Sequence, residues 1–257
     1  MNLEGRSALV AGGAGGLGSA TARRLVELGV GVAVFDRDGD RADKLAAELG
    51  PRAVGVGGDV NNDADVTSAI AAARALGTFS IAVMASGDVP PSPAIVDADG
   101  NPIGIDLLDN MLAFHTRGTF NIARLAAAAF TANEPDKDGQ RGVIVNTASI
   151  AAFEAQTGQV AYGAAKAAVA GMTLPLARDL GPHGIRVCAI APGIIATPIL
   201  PPGHEIYELL RKDVVFPNRL GHPEEYARLV ESIVTNPYLN GENIRLDGAM
   251  RLQHKFG

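Results

Sequence analysis

Short, β-rich apolar runs recur along the chain at residues 8–10, 30–36, 53–59, 81–84, 142–147, 186–191 and 244–247. They are nearly continuous rather than alternating, as in strands covered on both faces of a parallel sheet. Between them, residues 16–28, 41–49 and 66–76 carry apolar side chains at helical spacing. Seven such runs separated by helices predict an α/β fold: a doubly wound parallel sheet of about seven strands, helices on both faces, right-handed crossovers between them. With 257 residues, 47% of them hydrophobic, the chain can close one such core, so a single domain over 1–257 is expected.

Two stretches break the rhythm. Residues 88–106 are rich in Pro, Gly and Asp, and 192–217 contain Pro198, Pro201, Pro202 and Gly203, which interrupt any early helix. In doubly wound sheets ligands bind beyond the carboxyl ends of the strands, so both stretches are expected to wall a substrate site, the second forming a substrate loop over 192–220. Within it Leu200, Ile206, Leu209 and Leu210 suit an acyl chain or a steroid, and Arg211 or Lys212 a phosphate; all six serve equally well on an ordinary amphipathic helix.

A net charge of −6 without a long basic stripe argues against nucleic acid as a partner. The one cysteine, Cys188, lies in an apolar run and has no intrachain disulfide partner, which fits a reducing cytoplasm. The opening residues lead straight into the first strand, so no leader is expected, and no run approaches the ~18 continuous apolar residues of a membrane span.

The first strand is followed by Ala11-Gly12-Gly13-Ala14-Gly15-Gly16-Leu17-Gly18 and then a helix expected from about Ser19. Glycines there let the backbone turn tightly and approach a pyrophosphate, whose charge is favoured by the helix amides and dipole. In this position the loop marks the sheet as Rossmann-type. Asp36 closes the second strand, where a carboxylate accepts from the ribose hydroxyls of NAD and repels a 2′-phosphate. It can also be a solvated turn acid, with Arg37 beside it receiving NADP. Asp59 similarly either contacts an adenine edge or serves as a helix N-terminal acid.

Tyr162 and Lys166 stand four residues apart in a strongly helical stretch, on one face. An ammonium beside a phenol favours the phenolate and so acid–base work on an alcohol or ketone; alone, the pair would also suit an exposed helix surface. Ser149 is expected at the end of the strand over 142–147, adding a hydroxyl at the ligand edge.

Taken in order, Gly12-x-x-x-Gly16-x-Gly18, Ser149, Tyr162-x-x-x-Lys166 and Pro192-Gly193 resemble the classical short-chain dehydrogenase/reductase family, over essentially the whole chain. Residues 140–149, 171–180, 216–221 and 240–249 further resemble its type II 3-hydroxyacyl-CoA (17β-hydroxysteroid type 10) branch. The resemblance implies Tyr162 as general acid/base, Ser149 on the reacting oxygen, Lys166 on the nicotinamide ribose and lowering the tyrosine pKa, and Thr197 on the carboxamide. It implies a cofactor bed of Gly12, Gly16, Leu17, Gly18, Asp36, Asp59, Val60, Gly87, Tyr162, Lys166, Pro192, Gly193, Ile195 and Thr197, holding NAD(H). A homotetramer through the helices near 107–130 and 162–180, acting on a small hydroxyacyl or hydroxy-lipid substrate and containing no metal, is the family expectation.

Three departures stand out. His115 occupies the family's usual asparagine position, where a water relay to the lysine is supported; it either alters that relay or is a structural helix histidine. Ala11 replaces the usual threonine, and Met84-Ala85-Ser86-Gly87 replaces Asn-Asn-Ala-Gly. Two alternatives remain at this level: a 3-oxoacyl carrier protein reductase or other alcohol dehydrogenase of the family, and, motivated by His115 and Ala11, an NAD-binding scaffold with weak catalysis.

Overall fold

The computed structural model describes residues 1–85, 93–196 and 205–254. The strands are β1 Arg6–Ala11, β2 Gly31–Asp36, β3 Ala53–Gly57, β4 Thr78–Met84, β5 Gly142–Thr147, β6 Ile185–Pro192 and β7 Asn243–Leu246. All pair in parallel, in the order β3-β2-β1-β4-β5-β6-β7. The order reverses between β1 and β4, the position at which sheets of this type bind ligands.

The helices are α1 Gly16–Glu27, α2 Gly39–Leu49, α3 Asp63–Ala75, α4 Asp106–Met111, α5 Gly118–Phe130, α6 Ala151–Glu154, α7 Val160–Leu180, α8 Glu205–Leu210 and α9 Pro223–Thr235. On one sheet face Val10, Val32, Val34, Val83 and Val145 pack against Leu25 of α1, Leu45 of α2 and Tyr226 and Val230 of α9. On the other, Leu9, Phe35, Phe79, Met84 and Ile144 meet Val66 of α3, Ile122 and Phe130 of α5 and Ala177 of α7. Burial on both faces is why the strand runs are continuous in the sequence. Val160–His183 is, by length and composition, apolar enough to cross a membrane, and half of its most apolar window is buried within the fold.

Several boundaries differ from the sequence expectation. β3 stops at Gly57 rather than reaching Asp59: the Gly58 N–H still donates to the Asp36 carbonyl, but the Asp59 N–H donates to the Asp65 side chain and the chain turns into α3. β7 ends at Leu246, since Asp247 accepts from Arg245 and from the Ala249 N–H in a turn. α1 begins at Gly16, ahead of Ser19. The long helix expected over 107–130 is α4 and α5 separated by a π-helical turn, Leu112–Arg117. Gly118 ends that turn against β3's continuation: a Cβ there would lie 2.5 Å from Val60 Cγ2.

Candidate active site

The glycine loop is shaped by contacts that side chains would block. Gly12 has φ +70°, a backbone region that favours glycine. A Cβ on Gly18 would overlap the Gly12 carbonyl oxygen, so the first turn of α1 lies directly against the loop. The Gly13 N–H donates to the Phe35 carbonyl at 3.0 Å, tying the loop to β2. Gly16 opens α1, and half-buried Leu17 packs under it against the core.

Asp36 braces this loop as well as facing it. Its Oδ2 accepts the Ala14 N–H at 3.0 Å and its Oδ1 the Asp38 N–H at 3.1 Å, while Arg41 donates to the Ala14 carbonyl at 2.7 Å. Each carboxylate oxygen keeps a second acceptor position for a hydroxyl. Arg37 instead lies over the Phe114 ring, 5.9 Å from its centroid. Asp59 is exposed and accepts from Asn61 two residues on, in its own turn. Val60 is held by its carbonyl, which accepts from the Asn121 side chain at 2.8 Å.

On the other side of the switch point, Pro192 ends β6 and the Gly193 N–H donates to the Leu246 carbonyl at 2.9 Å. A Cβ on Gly193 would sit 2.8 Å from Asp247 Cβ, so only glycine lets this turn close against β7. Ile195 bridges in parallel to Gly221. Gly87, Thr197 and Leu200 lie outside the described residues, as do Ser86 and the 88–92 end of the first expected wall, and the Ile206 side chain is likewise undescribed. The glycine turn over Gly12–Gly18 at the start of α1 and the carboxylate beyond it fit a dinucleotide.

Ser149 stands two residues past the end of β5 rather than on it. Its Oγ accepts the Ala151 N–H at 3.1 Å, which leaves the hydroxyl proton free to donate outward. Tyr162 and Lys166 share one face of α7, and both are buried. The Lys166 Nζ lies 5.9 Å from the Tyr162 ring centroid and donates to the Thr147 carbonyl at 2.9 Å. Desolvation lowers the Lys166 pKa to about 7.

His115 is buried in the π-helical turn. Its ring packs edge-on against Tyr162, with centroids 5.3 Å apart, and against Phe114 at 4.9 Å, while its carbonyl accepts the Thr119 hydroxyl at 2.6 Å. The expected substitution at the relay position thus falls beside the tyrosine itself.

Two participants escaped the sequence reading. Thr147 donates to the Met84 carbonyl, and its hydroxyl meets the Tyr226 hydroxyl of α9 at 2.6 Å. Together they pin the strand end whose carbonyl receives Lys166; burial pushes the Tyr226 pKa up to about 12, so it stays a neutral phenol. Tyr226 lies 64 residues beyond Tyr162 in sequence, and nothing local marks it.

In the substrate loop, Leu210 is buried while Leu209 is partly exposed. Arg211 pairs with Glu208 and with the Asn218 side chain, and so is already engaged; Lys212 is exposed.

The family model described as short chain dehydrogenase matches residues 6–205. The chain belongs to the short-chain dehydrogenase family. It is therefore an oxidoreductase of the kind that uses a nicotinamide cofactor to interconvert secondary alcohols and ketones. The 3-hydroxyacyl-CoA dehydrogenase type-2 of Drosophila melanogaster is 47% identical over 97% of this chain and 99% of its own length. The Homo sapiens protein of the same name is 46% identical over 98% and 97%. Among solved structures, 3-hydroxyacyl-CoA dehydrogenase type-2 from Mycobacterium avium superposes with a TM-score of 0.95 at 45% identity, over 99% of both chains. A 3-ketoacyl-(acyl-carrier-protein) reductase from Brucella melitensis, complexed with NADH, has a TM-score of 0.82 at 28% identity over 96% and 98%. Within this short-chain dehydrogenase the glycine loop and Ser149 follow the carboxyl ends of β1 and β5, and Lys166 reaches the end of β5.

Proposed function

We propose that this short-chain dehydrogenase interconverts 3-hydroxyacyl-CoA and 3-oxoacyl-CoA thioesters, or closely related hydroxy-lipids and hydroxysteroids, with NAD(H). The observation that carries the reaction type is the grouping of Tyr162 and Lys166 on one buried face of α7, with Ser149 at the end of the neighbouring strand. The near full-length likeness to 3-hydroxyacyl-CoA dehydrogenase type-2 proteins supports the substrate class.

When bound, the nicotinamide supplies the hydride acceptor or donor. The chain's residues handle the oxygen and its proton. The Tyr162 phenolate takes the hydroxyl proton during oxidation, and the resulting phenol returns it to the carbonyl oxygen during reduction. Ser149 donates its hydroxyl proton to that oxygen while its Oγ accepts the Ala151 N–H. Lys166, when protonated, favours the phenolate, and its enclosed position strengthens that effect. The dinucleotide would be held by Gly12, Gly16, Leu17 and Gly18 at the pyrophosphate, with Val60, Pro192, Gly193 and Ile195 walling the crevice. Asp36 selects NAD over NADP by accepting from ribose hydroxyls and repelling a phosphate; Asp59, turned into its own loop, takes a lesser part. His115 orients the Tyr162 ring.

The assembly proposed is a homotetramer, supported by the half-exposed apolar residues Phe120 on α5 and Val160 and Leu174 on α7. A reducing compartment, the cytoplasm, agrees with the buried free thiol of Cys188. The direct test of the chemistry is Tyr162→Phe. Turnover should fall by about 10² to 10⁴-fold, while NADH affinity measured by fluorescence titration stays within about twofold of the wild type. Unchanged turnover contradicts the acid–base assignment.

A further inference from the structure

Ser149 is held by a short piece of chain. Its Oγ depends on the Ala151 N–H, the first amide of α6, and α6 is a single turn. Upstream, the backbone is fixed by the Ile150 N–H donating to the Pro192 carbonyl at 3.1 Å. Downstream, Gly158 and Gln159 loop round to α7. A one-turn helix does not hold itself, so its orientation must come from outside.

Part of that support is the packing of Ala151 against Ala161, Tyr162 and Ala165 of α7, and the polar part converges on Glu154, the last residue of α6. Its Oε1 accepts from Arg245 of β7 at 2.7 Å and from the Leu252 N–H at 3.2 Å. Arg245 is itself locked: its Nε donates to Asp247 Oδ2 at 2.7 Å, its Nη2 also donates to the Met250 carbonyl at 3.1 Å, and its guanidinium lies over Phe153, the neighbour of Glu154. The Glu154, Arg245 and Asp247 side chains are 21%, 24% and 7% exposed, so this is a shielded network rather than a surface pair. The chain end then follows α6 onward: Gln156 donates to the Gln253 carbonyl at 2.9 Å, and the Thr157 N–H and hydroxyl both donate to the His254 carbonyl, at 2.9 and 2.7 Å. Met250 is fully buried with Ile150, the residue after Ser149, and with Tyr207 and Leu210 of α8.

We propose that Glu154 and Arg245 are positioning residues for the reaction, acting through α6 to aim the Ser149 hydroxyl at the reacting oxygen, with residues 250–254 as the strap that completes the clamp. The role rests on the functional reading above. Neither residue touches the reacting atoms. Their effect is geometric: a hydroxyl displaced by a fraction of an ångström donates poorly to the transition state, and a misplacement of about 1 Å costs as much as about 10²-fold in rate.

The test combines kinetics with hydrogen exchange on the full chain. Glu154→Gln keeps the side-chain volume and the acceptor for the Leu252 N–H while removing the charge that holds Arg245. The expected result is a fall in kcat of about tenfold, an unchanged NADH dissociation constant, and faster exchange at the Ala151 to Glu154 amides with no change in the β1 or β4 amides. Arg245→Lys, which keeps the charge and loses the fork, should fall between wild type and Glu154→Gln. The double variant should be no worse than the more impaired single, because both remove one coupling. Equal loss of NADH affinity and kcat, or unchanged α6 exchange, overturns the proposal. Because the exchange measurement needs no substrate, it decides this inference even if wild-type enzyme leaves acetoacetyl-CoA untouched, an outcome that bears on the substrate reading alone.

Discussion

Lys166 is enclosed, with its ammonium against the Thr147 carbonyl and its pKa brought to about 7 by desolvation, against 10.5 for the free side chain. Between these values the unfolded chain binds more protons than the folded one, so this group's contribution to stability rises with pH through that window. Below about pH 7 its penalty is fully present. Lys166→Met should therefore abolish turnover yet raise the melting temperature of the cofactor-free protein at pH 7, the gain shrinking as pH approaches 10. Calorimetry across pH checks this; a variant less stable than wild type at pH 7 contradicts it. At this scale Tyr162 and Lys166 were legible, because helical spacing alone puts them on one face. Ser149 was legible as a residue but not in its place, since the strand's end is set by pairing with β6. Thr147 and Tyr226 were not, because their hydroxyls meet through tertiary packing between β5 and α9.

Among the elements, the first turn of α1 and the start of α9 are the most exacting. A methyl group at Gly18 has only backbone to displace, so Gly18→Ala should cost about 1–3 kcal/mol and weaken NADH binding. Thermal shift with and without NADH measures both; an unchanged NADH-induced shift would show that the loop does not hold the dinucleotide. At α9, Glu225 accepts from the His222 N–H at 2.7 Å and from both ends of the Arg219 fork, at 2.9 and 2.8 Å. The Arg219 hydrogen bonds lower its pKa to about 2. A depressed carboxyl pKa stabilises the fold above about 4.5 and loses that contribution as pH falls through 2. Glu225→Gln should thus lower the melting temperature near neutrality, with the difference from wild type closing as pH falls from 4.5 to 2. The strand runs announced themselves by continuous apolar character, with β5 matching at both ends. The π-helical turn at Leu112–Arg117 did not, because six residues of wider winding leave no separate period within a helical pattern.

For the molecule as a whole, seven parallel strands and the reversal between β1 and β4 bring residues distant in sequence to one edge of the sheet. The alternation of apolar runs and helices implied that architecture, and the glycine loop implied which end is the working end. What the sequence could not convey was the bracing between segments: Asp36 and Arg41 clasping the Ala14 peptide, Asn121 holding Val60, and Arg245 reaching from β7 to α6. Such contacts depend on side-chain reach across elements and carry no period. NADH binding at a hundredfold excess over its dissociation constant should stabilise the molecule by about 2.7 kcal/mol, which gives a substrate-independent check on the cofactor.

The most direct measurement of the central claim is NADH oxidation with acetoacetyl-CoA, run beside NADPH and followed across pH. Turnover should be rapid with NADH and small with NADPH. Demonstrated NADH binding without turnover of this thioester, or a preference for NADPH, would contradict that claim.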